Sequence, residues 1–251
     1  MLKINNVNFR YHQKLPLVLN DINLELEEGQ LITILGKNGS GKTTLLKAIL
    51  GLINVDGKIM IDDKDITDLK IKERAKYLSY LPQINELKHL SVKDVLILGR
   101  LSYFDVVPKQ TDIDIVNKYV KEIQIEHLTE KSIDELSGGE LQKVLITKAL
   151  IQDTPFIILD EPTSSLDIVG EALVLKELKE IIKKYHKTVV TAIHDINNAL
   201  KYSDSFVLLK DGKVLKKCDA DHLTDELLSL TYDASVKIIK HENCKFVALG
   251  E

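Results

Sequence analysis

The chain has 251 residues, enough for one large domain or one domain with an insertion, and a fold of that size buries roughly 70 to 75 % of the surface its unfolded chain exposes. Hydrophobic residues make up 44 % and charged ones 29 %, which excludes wholesale disorder, a collagen and a coiled-coil rod. The 34 basic and 38 acidic side chains leave a formal net charge of −4, no footprint for wrapping a nucleic-acid backbone, so no nucleic-acid partner is expected.

Met1-Leu2-Lys3-Ile4-Asn5-Asn6 lacks the apolar stretch of a secretory signal, and no apolar run approaches the ~20 residues that span a bilayer. A cytoplasmic address is expected. Val7, Phe9 and Tyr11 alternate with polar residues, as do Ile22, Leu24 and Leu26, and this predicts antiparallel, half-buried strands at the N-terminal side. The run 31–35 is almost wholly apolar and reads as a buried strand leading through a glycine-rich turn into a helix from 43 to about 52. Helices are predicted around 91–98, 112–124 and 140–152, without strong strand signals between them, as a helical insertion. Further buried strands at 156–159 and 188–193, each followed by a helical stretch, predict a parallel sheet with crossover helices. Asp211-Gly212 marks a turn between strands at 206–209 and 214–216. A short helix near 224–230 and two candidate strands follow, a tail without a functional motif. Cys218 and Cys244 fit no zinc or redox spacing and are expected to be inert, reduced thiols.

Gly36-Lys37-Asn38-Gly39-Ser40-Gly41-Lys42-Thr43 fits GxxxxGK[ST] between a buried strand and a helix. Its glycines let backbone N–H groups curl around an anion, and the helix N-terminus adds its positive dipole end. Lys42 reaches terminal phosphates and Thr43 can hold magnesium. An ordinary glycine-rich turn needs neither the lysine nor the hydroxyl, so a nucleoside triphosphate is the expected ligand. The run 156–159 ends in Asp160-Glu161, two carboxylates at the carboxyl end of a buried strand, where open α/β sheets bind ligands. Asp160 suits magnesium beside Thr43, and Glu161 is the candidate for orienting or deprotonating the attacking water. The plainer role for Glu161 is an acidic turn before Pro162. In Leu136-Ser137-Gly138-Gly139-Glu140, Ser137 and Glu140 fit a capping box. That leaves Gly138 and Gly139 unexplained, each costing up to about 1 kcal/mol relative to alanine in a helix, whereas bare backbone at a helix N-terminus suits a second phosphate.

With these motifs in order, the chain resembles the ATP-binding cassette (ABC) family from residue 1 to about 217, the family signature matching Leu136-Ser137-Gly138-Gly139-Glu140. The resemblance implies an α/β fold: a P-loop NTPase core with a mixed sheet, an antiparallel β subdomain at the N-terminal side and an inserted helical subdomain. As one ABC ATPase domain over 1–251, it would comprise a catalytic core (1–82 and 153–217), a helical subdomain (83–152) and a C-terminal extension (218–251). ATP and Mg²⁺ are the implied cofactors. The implied assembly is an ATP-dependent, head-to-tail homodimer, in which ATP on the phosphate loop and Thr44 of one copy is covered by Ser137, Gly138, Gly139 and Glu140 of the other. By the same resemblance Tyr11 stacks on adenine, Gln83 meets magnesium, and Asp167 of Ser165-Leu166-Asp167 lies at the dimer seam. His194 joins Lys42 and Glu161 in catalysis, hydrogen-bonding the γ-phosphate. Core packing for Tyr11, a plain loop amide for Gln83 and a solvated residue before a helix-capping Asp195 for His194 stay open. Lys37 stands where relatives often carry proline, Glu140 where many carry glutamine, and Leu141 and Lys143 where arginines are frequent.

Tyr80-Leu81-Pro82-Gln83, Ser91-Val92-Lys93-Asp94-Val95 with Leu98-Gly99-Arg100, and His194-Asp195-Ile196-Asn197 resemble the ATPase subunits of siderophore-iron, haem and cobalamin importers. This implies integral membrane permease subunits as partners, an extracytoplasmic substrate-binding protein beyond them, and a place at the cytoplasmic face of the membrane. Leu101, Tyr103, Phe104, Val106 and Val107, closed by Pro108, form a candidate patch for a permease helix or else the insertion's own core. Charged substitutions at Tyr103 and Phe104 are expected to uncouple transport. The alternative is a soluble ABC-type ATPase in an assembly role such as iron–sulfur cluster biogenesis. A kinase or GTPase would leave Leu136 to Glu140 unexplained, and no Asn-Lys-x-Asp tetrapeptide is present.

Overall fold

The computed structural model of the chain describes residues 1–81, 89–162, 167–193, 195–242 and 244–250, with only the backbone of Ile168, His241 and Cys244. In chain order the described elements are β1 (Leu2–Phe9), β2 (Leu19–Leu26), β3 (Leu31–Leu35), α1 (Lys42–Leu50), β4 (Asp56–Ile61), β5 (Lys64–Asp65), α2 (Ile71–Arg74) and β6 (Leu78–Leu81). The helical stretch holds α3 (Val92–Ile97), α4 (Gln110–Glu122) and α5 (Gly138–Ile151). The chain then returns through β7 (Phe156–Asp160), α6 (Ile168–Tyr185), β8 (Thr188–Ala192), α7 (Ile196–Tyr202), β9 (Ser205–Lys210) and β10 (Lys213–Asp219). It closes with α8 (Asp225–Tyr232), β11 (Val236–His241) and β12 (Cys244–Leu249).

The central sheet runs β10-β9-β3-β8-β7-β6, parallel except for β10, which pairs antiparallel with β9. Every residue of β3 and β8 is buried, because both faces of this sheet are covered, and such strands read as unbroken apolar runs. Ile32 and Ile34 pack with α1 and the antiparallel sheet β2-β1-β4-β5, whereas Leu31 and Leu35 face the helices of the insertion and α6. The fold is therefore the expected mixed-sheet P-loop core with an antiparallel layer on one side and helices on the other.

The antiparallel strands expected at the N-terminal side are present as β1 and β2, with one correction. Leu2, Ile4 and Val7 are buried, a spacing that breaks strict alternation. The pairing with β2 shifts register between Ile4 and Val7, where Asn6 takes a left-handed φ of 51°, the mark of a bulge. The strand ends at Phe9, so Tyr11 lies outside it and is 59 % exposed; core packing for Tyr11 is ruled out. The sequence pattern gives no signal for β4, β5 and α2, the last of which ends in Arg74. This guanidinium, 2 % exposed, donates to the carbonyls of Ile66 and Thr67 and, at 3.2 and 3.3 Å, to those of Ala48 and Ile49 at the end of α1. It satisfies carbonyls that a helix C-terminus leaves without intrahelical partners, and it fastens the helix behind the phosphate loop to the antiparallel layer.

Arg100 plays a similar part in the insertion. It donates to Asp112 of α4 and to the Ile151 carbonyl of α5, both at 3.0 Å, and lies 3.8 Å from the Tyr103 ring. Tyr103 in turn donates to the Gln152 carbonyl at 3.0 Å. Tyr103 is thus part of the insertion's framework, while Leu101, Val106 and Val107 are exposed. Asp211 and Gly212, both with positive φ, make the expected two-residue turn between β9 and β10. Cys218 is a buried free thiol whose pKa burial pushes up. Among the described residues no helix is long and apolar enough to cross a membrane.

Candidate functional site

Ala192 pairs with Ile34 on one side and Asp160 on the other, so the carboxyl ends of β3, β8 and β7 lie level. The glycine loop leaves β3 at this level, and β7 ends there in Asp160, followed by Glu161. Parallel order alone therefore gathers two separated motifs at one edge of the sheet.

The loop after β3 is held closed by its surroundings. A Cβ on Gly36 would collide with the Leu209 carbonyl of β9 and come within 2.6 Å of Ser40 Oγ. Gly41, at φ +106°, faces the Val18 carbonyl, a backbone that only glycine adopts freely. Lys42 is 7 % exposed and donates to the carbonyls of Gly36 at 2.7 Å and Lys37 at 3.0 Å. Desolvation pulls its ammonium pKa down, opposed by Glu161 and then Asp160. A cation held this way inside the loop is placed for phosphate oxygens. Ser40 Oγ is buried without a hydrogen-bond partner, and Gly39 has open space around it. The cradle accordingly fits a phosphate chain.

Thr43 Oγ1 donates to Asp160 Oδ1 at 3.2 Å. Two hard oxygens at this separation fit magnesium, which binds one or two protein oxygens and takes the rest from phosphate and water. Burial pushes the Asp160 pKa up, opposed by the Thr43 hydrogen bond, with Glu161 adding to the rise. In the nucleotide-free protein the ionised carboxylate is therefore less favoured folded than unfolded. Stability falls as pH rises from the ordinary value of 3.8 through the raised one. Asp160→Asn is expected to raise the melting temperature of nucleotide-free protein at pH 7, to lose that advantage below the carboxylate range, and to lose magnesium-dependent nucleotide binding. Thermal scans at both pH values, with and without MgATP, check this.

Glu161 sits at a left-handed φ of 51° in the electrostatic reach of Lys42 and Asp160. Strained backbone at the mouth of a site serves to aim a side chain. Tyr11, exposed beside the loop, shares a hydrogen bond of 3.2 Å with Thr44 Oγ1 and meets the Phe9 ring edge-on at 4.9 Å. One face of its ring is thus available beside α1. Gln83, Ser165, Leu166 and His194 lie outside the described residues.

The signature residues form a separate, exposed surface. Ser137 caps α5 and makes the expected capping box: its hydroxyl donates to Glu140 Oε2 at 2.7 Å and its N–H to the same oxygen at 2.8 Å. These bonds hold the Glu140 carboxyl below the usual range. Ser137, Gly138 and Gly139 are exposed. Asp167 caps α6, accepting from the Gly170 N–H at 2.7 Å.

Sequence reasoning missed the tail's approach to the loop. Asp233, just after α8, accepts from Lys37 Nζ at 3.0 Å and from Lys210 Nζ at 2.5 Å. Lys37 in place of the frequent proline was the available signal.

Residues 19–164 match the family model described as ABC transporter. The chain is 34 % identical to the petrobactin import ATP-binding protein YclP of Bacillus subtilis, over 97 % of each chain. Among solved structures, an ABC transporter assigned to the metal-chelate type, in an inward-facing conformation, superimposes with a TM-score of 0.82 at 26 % identity, covering 99 % of this chain and 96 % of that one. The dimeric ATP-binding cassette MJ0796 in a post-hydrolysis state, bound to ADP and Pi, does so with a TM-score of 0.73 at 28 % identity, covering 88 % and 99 %.

Proposed function

The chain belongs to the ABC transporter family as one of its ATP-binding ATPase domains, and from that premise we propose that it drives uptake of a metal chelate, of the iron-siderophore, haem or cobalamin kind, through a separate permease. The observation that carries the proposal is the division of the site: Lys42, Thr43, Asp160 and Glu161 converge at the sheet edge, while Ser137 and Gly139 face outward on another helix. Two copies related head to tail supply both halves to each ATP.

In this reading the N–H groups of 36–41 and the Lys42 ammonium bind the phosphates, and Tyr11 stacks on the base. Thr43 and Asp160, with Gln83, hold magnesium, which supplies neutralisation of phosphate charge. Glu161 orients the attacking water, and His194 hydrogen-bonds the γ-phosphate. Ser137, Gly138, Gly139 and Glu140 close over the ATP of the opposite copy, with Asp167 at the seam. ATP binding favours the closed pair and hydrolysis releases it. Residues 1–82 and 153–217 serve as the catalytic core, 83–152 as the helical arm and 218–251 as an extension.

A groove of 430 Å³ runs between α2 and the insertion, lined among others by Ile71, Lys72, Leu98, Leu101 and Phe104. Ile71 and Leu101 are 66 % and 52 % exposed, so the protein tolerates polar groups there when alone. We assign this groove to a permease helix, which places the protein at the cytoplasmic face of the membrane, opposite an extracytoplasmic substrate-binding protein. The relative's import function and this groove favour transport over an assembly role. Since Tyr103 is committed to the framework, the informative variants are Ile71→Glu and Leu101→Glu. In a deletion strain each is expected to lower metal-chelate uptake at least about tenfold, as charge in an apolar contact does, while the purified variant binds ATP as wild type does. Normal uptake by both variants would remove the groove from its role.

A further inference from the structure

The C-terminal extension carries none of the family motifs, yet it reaches the phosphate loop. Helix α8 ends at Tyr232, which is half-buried against Gly36, its phenol pKa pushed up to about 12 by burial, opposed by a backbone hydrogen bond with that glycine. The next residue, Asp233, turns left-handed at φ 48° and ψ 42° and closes the helix with its N–H on the Ser229 carbonyl. That turn delivers its carboxylate between two lysines. Oδ2 accepts from Lys37, the second residue of the loop, at 3.0 Å, and Oδ1 from Lys210, the last residue of β9, at 2.5 Å. The same end of β9 walls the loop, with the Leu209 carbonyl against Gly36 and the Gly212 N–H donating to the Ser40 carbonyl at 3.1 Å.

We propose that Asp233 is a positioning residue of the nucleotide site, fixing the entry of the phosphate loop through Lys37 and Lys210 so that the extension sets nucleotide affinity. The inference rests on the reading of residues 36–43 as the phosphate-binding loop. Half-exposed ion pairs contribute little to global stability. Their leverage here is preorganisation: N–H groups must point at one anion, and a loop left free to sample other conformations binds more weakly. The tail is also anchored elsewhere, by the Val247 N–H on Asn197 Oδ1 of α7 at 2.6 Å, so loss of the Asp233 contacts leaves it in place.

The test is calorimetric titration of Mg-ADP into the full-length protein. Asp233→Asn keeps a residue at ease in the left-handed region and removes the charge. It is expected to weaken ADP binding by about 3- to 10-fold with a melting temperature within that of Asp221→Asn, the control elsewhere in the extension, which binds ADP as wild type does. In a Lys37→Ala background the added Asp233→Asn change should cost less than in wild type, because the two residues act through each other. Wild-type or tighter binding by Asp233→Asn, equal weakening by Asp221→Asn, or fully additive effects would each overturn the proposal. Failure of wild type to bind ADP, or full binding by Lys42→Ala, would instead bring down the phosphate-loop reading and this inference with it.

Discussion

Glu161→Gln is expected to cut steady-state ATP hydrolysis by about 10² to 10⁴ while leaving ATP binding intact, so that ATP-bound dimers accumulate. Glutamine matches glutamate in size and can hold the same turn, so the left-handed backbone at φ 51° and its strain are retained. What is lost is a proton acceptor at the edge of the site. Asp160 does not replace it, because its carboxylate is engaged with Thr43 at 3.2 Å and committed, in this account, to magnesium. Lys42 keeps its place, since its hydrogen bonds go to backbone carbonyls. The check is a hydrolysis assay paired with gel filtration in MgATP. Turnover at the wild-type rate would take Glu161 out of the water-activating role.

The variant also separates binding from release. If ATP contacts join the two copies, a protein that binds without cleaving has no route back to the open pair, and the closed population rises. In the same account the permease feels only opening and closing, so the transport defect of Ile71→Glu or Leu101→Glu and the hydrolysis defect of Glu161→Gln arise at different points of one cycle.

The central strands and the phosphate loop were legible because burial on both faces writes itself into the sequence as unbroken apolar runs at β3, β7 and β8. The capping box at Ser137 was legible because caps are local. What stayed hidden was non-local or short. β4 begins with three exposed residues, Asp56, Gly57 and Lys58, and buries only Ile59 and Ile61, too little for a period to emerge. α2 spans four residues. Tyr11 continues the alternation of Val7 and Phe9 in the sequence, yet the strand stops at Phe9, an end that nothing in the alternation announces. Arg74 looks like a surface charge in sequence but closes α1 from 25 and 26 residues away. The tail seemed silent because Asp233 meets Lys37 across a separation of 196 residues, a contact that only the folded chain creates. Gln83 and His194 lie outside the described residues, and their roles rest on the family resemblance.

The division of the reaction centre between two copies is the claim everything else depends on, and two inactive variants test it when mixed. Lys42→Ala removes the phosphate-binding cation and disables the loop half of every site. Gly139→Asp disables the signature half: the glycine has open space around it in the single chain, so the fold survives, whereas the carboxylate would face the phosphates of the opposite copy. Each variant alone should hydrolyse ATP at least about 10²-fold more slowly than wild type. The mixed dimer holds one undamaged site, built from the loop of the Gly139→Asp chain and the signature of the Lys42→Ala chain. Hydrolysis measured on an equimolar mixture is therefore predicted to rise well above the sum of the separate variants. A mixture as inactive as its components, or full activity in the Gly139→Asp protein alone, would contradict the shared site.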